Sequence, residues 1–72
     1  MKEYKIALGQ NVSLKIKSGN NTMDVLMFKD EEPIFVDVEE YGDDLFHIKF
    51  TYHGLFIQYW CNSFYTERME VK

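Results

Sequence analysis

The sequence predicts an all-β single domain over residues 1–72, a small antiparallel meander of six or seven short strands curled into a barrel or folded into a two-layer sandwich. Three observations lead there. Leu45 to Cys61, LFHIKFTYHGLFIQYWC, is two alternating runs broken only at His53-Gly54. The same alternation recurs from Tyr4 to Phe28, punctuated by Gly9-Gln10-Asn11 and Ser18-Gly19-Asn20-Asn21. It continues through Ile34, Val36 and Val38, between Pro33 and the Tyr41-Gly42-Asp43 loop.

Taken in order, Tyr4, Ile6 and Leu8 alternate with polar or small residues, and Val12, Leu14 and Ile16 do the same after a three-residue loop. Pairing Leu8 with Val12, Ile6 with Leu14 and Tyr4 with Ile16 gives one apolar face. The next turn sets Ile16 against Met23, Leu14 against Val25 and Val12 against Met27, with Lys15 meeting Asp24 on the other side. Lys29 to Glu32 forms a longer loop, and Pro33 opens the following strand, where its missing N–H costs least. Met27 then faces Ile34, Val25 faces Val36 and Met23 faces Val38. Beyond the Tyr41-Gly42-Asp43 loop, Val38 faces Phe46, Val36 faces Ile48 and Ile34 faces Phe50.

The His53-Gly54 loop is the best determined. A two-residue turn demands positive φ, which Gly supplies, and it fixes Tyr52 against Leu55, Phe50 against Ile57, Ile48 against Tyr59 and Phe46 against Cys61. A slip of one residue would turn that whole apolar set to the wrong side. The tail, FYTERMEVK, is open to two readings. Tyr65, Glu67, Met69 and Val71 alternate as in a seventh strand, whereas Glu, Arg and Met also suit a helix, for which no capping box is present.

A chain of 72 residues buries only roughly 60 % of its unfolded surface, so the aromatic side chains, and self-association through any leftover apolar face, are the expected additions to a thin margin. The single Cys excludes an internal disulfide, and the N-terminal MKEYKIALGQ lacks the apolar core of a signal peptide, so a cytoplasmic location is expected. No run approaches the roughly 20 apolar residues of a membrane-spanning helix, and membrane association is not expected. Neither is an enzyme. The chain has no Gly-rich phosphate loop, paired Cys-x-x-Cys, metalloprotease helix motif or Ser nucleophile elbow, and no metal or cofactor is expected. Cys61 falls on the apolar face and His47 on the other, so they are not expected to act as nucleophile and base.

The net charge of −4 is unevenly spread. Asp30 to Asp44 holds eight acidic residues and no basic one, whereas the flanking segments are mildly basic. Such a field repels phosphate backbones and attracts basic partners, which disfavours direct nucleic-acid binding. The expected function is therefore a small acidic binding protein that acts stoichiometrically on a macromolecular partner, as an inhibitor or charge mimic docking on a basic protein surface. Glu31, Glu32, Glu39, Glu40, Asp43 and Asp44 would steer it, and Phe35, Phe56 and Trp60 would anchor it. The plainer account is that acidic loops keep an aromatic-rich protein soluble.

The alternative is a small-molecule site. Carried across the meander, the register puts Lys15, Asp24, Asp37, His47 and Trp60 in one row of the second face, with Phe35, Lys49 and Gln58 in the next. Asp24, Phe35, Asp37, His47 and Trp60 could then line a ligand surface, alone or between two copies of the chain. The same row opposes Asp24 to Asp37, an unfavourable pairing unless a cation lies between them. A solvated sheet face on which charges pair across strands is the simpler alternative.

Overall fold

The structure, a computed structural model, describes residues 1–70; Val71, part of the alternation in the tail, lies outside the described residues. The all-β expectation holds. Seven strands form: β1 (Lys2–Leu8), β2 (Val12–Ser18), β3 (Asn21–Met27), β4 (Ile34–Glu40), β5 (Phe46–Tyr52), β6 (Leu55–Cys61) and β7 (Ser63–Arg68). They make two antiparallel sheets, one of four strands in the order β1-β4-β5-β6 and one of three in the order β3-β2-β7. The arrangement is a two-layer sandwich and not a closed barrel.

Two hairpins match the sequence reading residue for residue. In β5–β6, His53 and Gly54 take φ of 50° and 81°, a type I′ turn, and Phe50 pairs with Ile57, Ile48 with Tyr59 and Phe46 with Cys61. In β2–β3 the loop is only Gly19-Asn20. Gly19 sits at φ 61° in the first central position, as a type II′ turn requires, and the pairs Ile16 to Met23, Leu14 to Val25 and Val12 to Met27 are retained. Lys15 and Asp24 meet as expected, Nζ to Oδ2 at 2.8 Å.

The strictly sequential pairing is corrected in three places. β1 does not pair with β2. It lies against β4, Tyr4 opposite Val38, Ile6 opposite Val36 and Leu8 opposite Ile34. Asn11, at φ 61°, turns the chain out of the first layer and donates its N–H to Met27 O at 2.7 Å, so Gly9 to Asn11 is a crossing between sheets and not a hairpin loop. β3 likewise does not pair with β4. Phe28 to Pro33 also crosses between sheets, through a local turn in which Glu31 N–H bonds Phe28 O at 3.3 Å and the Glu31 carboxylate accepts Phe28 N–H at 3.0 Å. Finally, β4–β5 is displaced by two residues: Val38 faces Ile48 and Glu40 faces Phe46, because Tyr41 N–H bonds Leu45 O at 2.9 Å and the three-residue loop falls at Gly42 to Asp44, one residue further along.

None of these changes reverses a side chain's face. Partners shift by even numbers of residues, so the alternation still decides what is inside. All ten buried apolar residues, Leu8, Leu14, Ile16, Val25, Met27, Val36, Val38, Ile48, Phe50 and Cys61, belong to the apolar set read from the sequence. The tail resolves as strand β7, paired with β2. Its inward residue is Phe64, opposite Ile16 and edge-on to Phe46 at 5.3 Å, while Tyr65 and Glu67 point away beside Lys15 and Ser13. The helical reading of the tail is excluded.

The corner between β6 and β7 ties the layers together. Asn62 donates its N–H to Lys17 O at 2.8 Å and its side-chain amide to Asp44 O at 3.1 Å, and its Oδ1 accepts Gly19 N–H at 2.7 Å. One side chain thus links the corner to the β2–β3 turn and to the β4–β5 loop. Asn62→Ala removes two of these bonds and is expected to cost about 1–2 kcal/mol in urea unfolding, whereas Asn20→Ala, in the same turn region, should stay within about 0.5 kcal/mol.

Candidate functional site

The inner faces of the sandwich are filled, so the outer face of the four-stranded sheet is where chemistry-bearing side chains gather. Alternation sends Glu3, Lys5 and Ala7 of β1, Phe35, Asp37 and Glu39 of β4, His47, Lys49 and Thr51 of β5, and Phe56, Gln58 and Trp60 of β6 to that face. The observed register arranges them in rows.

The first row runs Glu3, Glu39, His47, Trp60. Glu39 is its centre. One carboxylate oxygen lies 2.8 Å from His47 Nδ1 and accepts the Tyr41 hydroxyl at 3.4 Å; the other is 3.8 Å from Lys49 Nζ. The hydrogen bond from His47, helped by the Lys49 charge and the Tyr41 hydroxyl, holds the Glu39 carboxyl below its ordinary pKa against the opposing effect of burial. Burial, with the Glu39 charge adding to it, pushes the Tyr41 phenol up.

His47 uses its second nitrogen as well. Nε2 is 3.2 Å from the Gln58 side-chain oxygen, so a protonated ring donates to both Glu39 and Gln58, and a neutral ring keeps both bonds if the Gln58 amide turns to offer its NH2. The imidazole is stacked under Trp60, ring centres 4.4 Å apart and planes 20° apart, and Tyr41 leans on the same indole at 5.1 Å. Trp60 is thereby fixed while remaining 52 % exposed.

The second row runs Lys5, Asp37, Lys49, Gln58, and Lys5 Nζ lies 3.4 Å from Asp37. A shallow groove of about 380 Å³ crosses it, lined by Glu3, Lys5, Asp37, Glu39 and Lys49. Its charges alternate in sign and largely satisfy one another. At the far end Phe35 and Phe56 stand 63 % and 65 % exposed, a strand length from Trp60.

This geometry corrects the row read from the sequence. Asp24 and Lys15 belong to the other sheet, so Asp24 never faces Asp37, which pairs with Lys5 and Lys49 instead. Of the ligand surface drawn from Asp24, Phe35, Asp37, His47 and Trp60, only His47 and Trp60 touch. The partner of His47 is Glu39, brought there by the two-residue displacement of β4 against β5. Tyr41, the second ring against Trp60, was missed because it lies in the loop whose closure causes that displacement. Cys61 is buried away from this face, and burial pushes its thiol up. Among the described residues no three of His, Cys, Asp and Glu stand together as metal ligands, and no helix is long and apolar enough to cross a membrane.

The acidic residues divide by role. Glu39 is engaged with His47, and Glu31 caps Phe28 N–H and lies 3.3 Å from His53 Nε2. Glu40 is opposite Lys2 and half-buried; burial, with the Glu40 carboxylate adding to it, raises the Tyr4 phenol. Glu32, Asp43 and Asp44 are exposed. The two loops sit at opposite ends of β4, with Asp43 and Asp44 following Tyr41 at the Trp60 end of the face.

Set against protein-family models, curated proteins and solved structures, the chain finds no match, and so no relative supplies a function.

The Glu39 pair has a consequence for acid stability. A carboxyl whose folded pKa lies below its unfolded value contributes stability that is fully present above the unfolded pKa and is lost as pH falls through the folded one. Glu39→Gln should therefore have a flatter dependence of melting temperature on pH below about 5 than the wild type, measured by thermal unfolding across an acidic pH series.

Proposed function

We propose that this protein is a stoichiometric binding protein that docks on a basic protein surface through the outer face of its four-stranded sheet. The observation that carries this reading is the placement of Trp60. It is a half-exposed indole packed against both His47 and Tyr41, at the end of the face where the exposed Asp43 and Asp44 follow Tyr41 in the chain. Rigid aromatic groups that lose little freedom on contact dominate binding energy, and peripheral charge sets encounter rate and partner choice. Phe35 and Phe56 extend the apolar contact at the far end of the face, where Glu32 supplies the second acidic site.

The steering set is smaller than the sequence suggests. Glu39 and Glu31 are engaged within the protein, so their role is to position His47, Trp60 and the 28–33 turn; Glu40 lies in phase with the inward residues of β4, beside Tyr4, and Glu32, Asp43 and Asp44 remain to face the partner. The reading as an inhibitor or charge mimic rests on these carboxylates and on the size of the chain.

The test is kinetic, made with the partner captured from native extract, identified by mass and purified. Glu32→Gln, Asp43→Asn and Asp44→Asn together should slow association by on the order of tenfold at low salt and flatten its ionic-strength dependence. Trp60→Ala should speed dissociation by on the order of thirtyfold, the size of an interface hot spot. Unchanged rate constants in both variants would remove this face from the interaction.

A further inference from the structure

Four strands border the two sheets: β1 and β6 in one, β3 and β7 in the other. β1 carries Lys2, Glu3 and Lys5, β7 carries Glu67 and Arg68, and β3 has Asp24 at its centre. Charges of this kind, together with Pro and bulges, are how sheet edges resist pairing with another chain. β6, Leu55 to Cys61, has none of them: no charged residue, no Pro, and an unbroken register.

The turn before β6 determines what its edge presents. A type I′ turn at His53-Gly54 closes Tyr52 and Leu55 as a hydrogen-bonded pair, so Leu55, Ile57, Tyr59 and Cys61 exchange bonds with β5. The N–H and C=O groups of Phe56, Gln58 and Trp60 consequently point away from β5. Among the described residues no backbone group pairs with them.

The strand is also symmetric in character about Gln58. Laid antiparallel across a two-fold axis, two copies oppose Gln58 to Gln58 and Phe56 to Trp60 as hydrogen-bonded pairs, every one of those edge groups finds a partner, and no like charges meet. The same operation on β3 would oppose Asp24 to Asp24, which is destabilising. The inner side fits as well. An open depression of about 220 Å³ lies between β6 and the β2–β3 hairpin, lined by Ile16, Ser18, Met23, Tyr59 and Trp60 among others. Leu55, 68 % exposed at the start of β6, comes opposite Cys61 of the other copy, next to that depression.

We propose that two copies of this chain associate through β6 about a two-fold axis at Gln58, joining two four-stranded sheets into one of eight strands and seating Leu55 of each in the depression of the other. The outer face then carries Phe56 of one copy beside Trp60 of its mate, twice over. This inference does not depend on the basic partner proposed above.

Light scattering over a concentration series should show a mass rising towards twice the 8.6 kDa of the chain. Gln58→Glu places two carboxylates against each other on the axis, and because Gln58 is exposed and lies opposite Lys49 the monomer stays folded; its dimer should be on the order of tenfold weaker. Gln58→Cys brings two thiols to a hydrogen-bonded pair with Cα atoms about 5.5 Å apart, within disulfide reach, so mild oxidation should give a covalent dimer that Thr22→Cys on β3 does not. A chain that stays monomeric at every concentration, as it would if the edge takes a strand from another protein, overturns the proposal. So does a dimer that Gln58→Glu leaves intact and Gln58→Cys does not cross-link.

Discussion

The structure depends on one constraint: a sheet with a continuous apolar face must have that face covered, and here a second layer of the chain's own strands covers it. A single seven-stranded meander would leave Leu14, Val36 and Ile48 facing water. Folding the alternation into two layers buries all three completely. The crossings at Gly9–Asn11 and Phe28–Pro33 and the corner at Asn62 are the places where the chain changes layer. Each is held by specific backbone hydrogen bonds or a polar side chain, since a bend in a strand leaves groups that need partners.

That constraint also explains how far the fold could be read from residue order. Alternation has a period of two, so it fixes the face of each side chain and is blind to any even change of partner. Hence the membership of the core was legible, down to Cys61 and Met27, while the pairing of β1 with β4 was not. Where a short turn leaves no choice, as at His53-Gly54 and Gly19-Asn20, register was legible too. At Tyr41 to Leu45 the position of the loop was free, and a displacement of two residues exchanged the neighbour of His47 from Asp37 to Glu39. The candidate site was thus half legible: Trp60 and His47 could be placed together from the β5–β6 hairpin alone, but Glu39 and Tyr41 could not.

The consequence for function is a surface with a fixed part and an accessible part. Glu39, His47, Lys49 and Gln58 neutralise and orient one another, and their combined effect is to hold the Trp60 ring in one attitude without ordering loops. The accessible part is aromatic along the sheet and acidic at the two ends of β4. A contact surface built this way pays little entropy on docking, because the strands and stacked rings are already in place. The uncharged edge of β6 borders the same face, and Trp60 and Phe56 belong both to the proposed docking face and to the edge that a second copy would meet.

The core and the outer face both depend on the two-layer arrangement, and the pairing of β1 tests it most directly. Cross-strand backbone proton contacts measured by NMR should connect Tyr4 with Val38 and Ile6 with Val36. Contacts of Ile6 with Leu14 and Tyr4 with Ile16 in their place would mean that β1 and β2 form a hairpin, that the four-stranded sheet does not exist as described, and that the outer face proposed for docking is not formed.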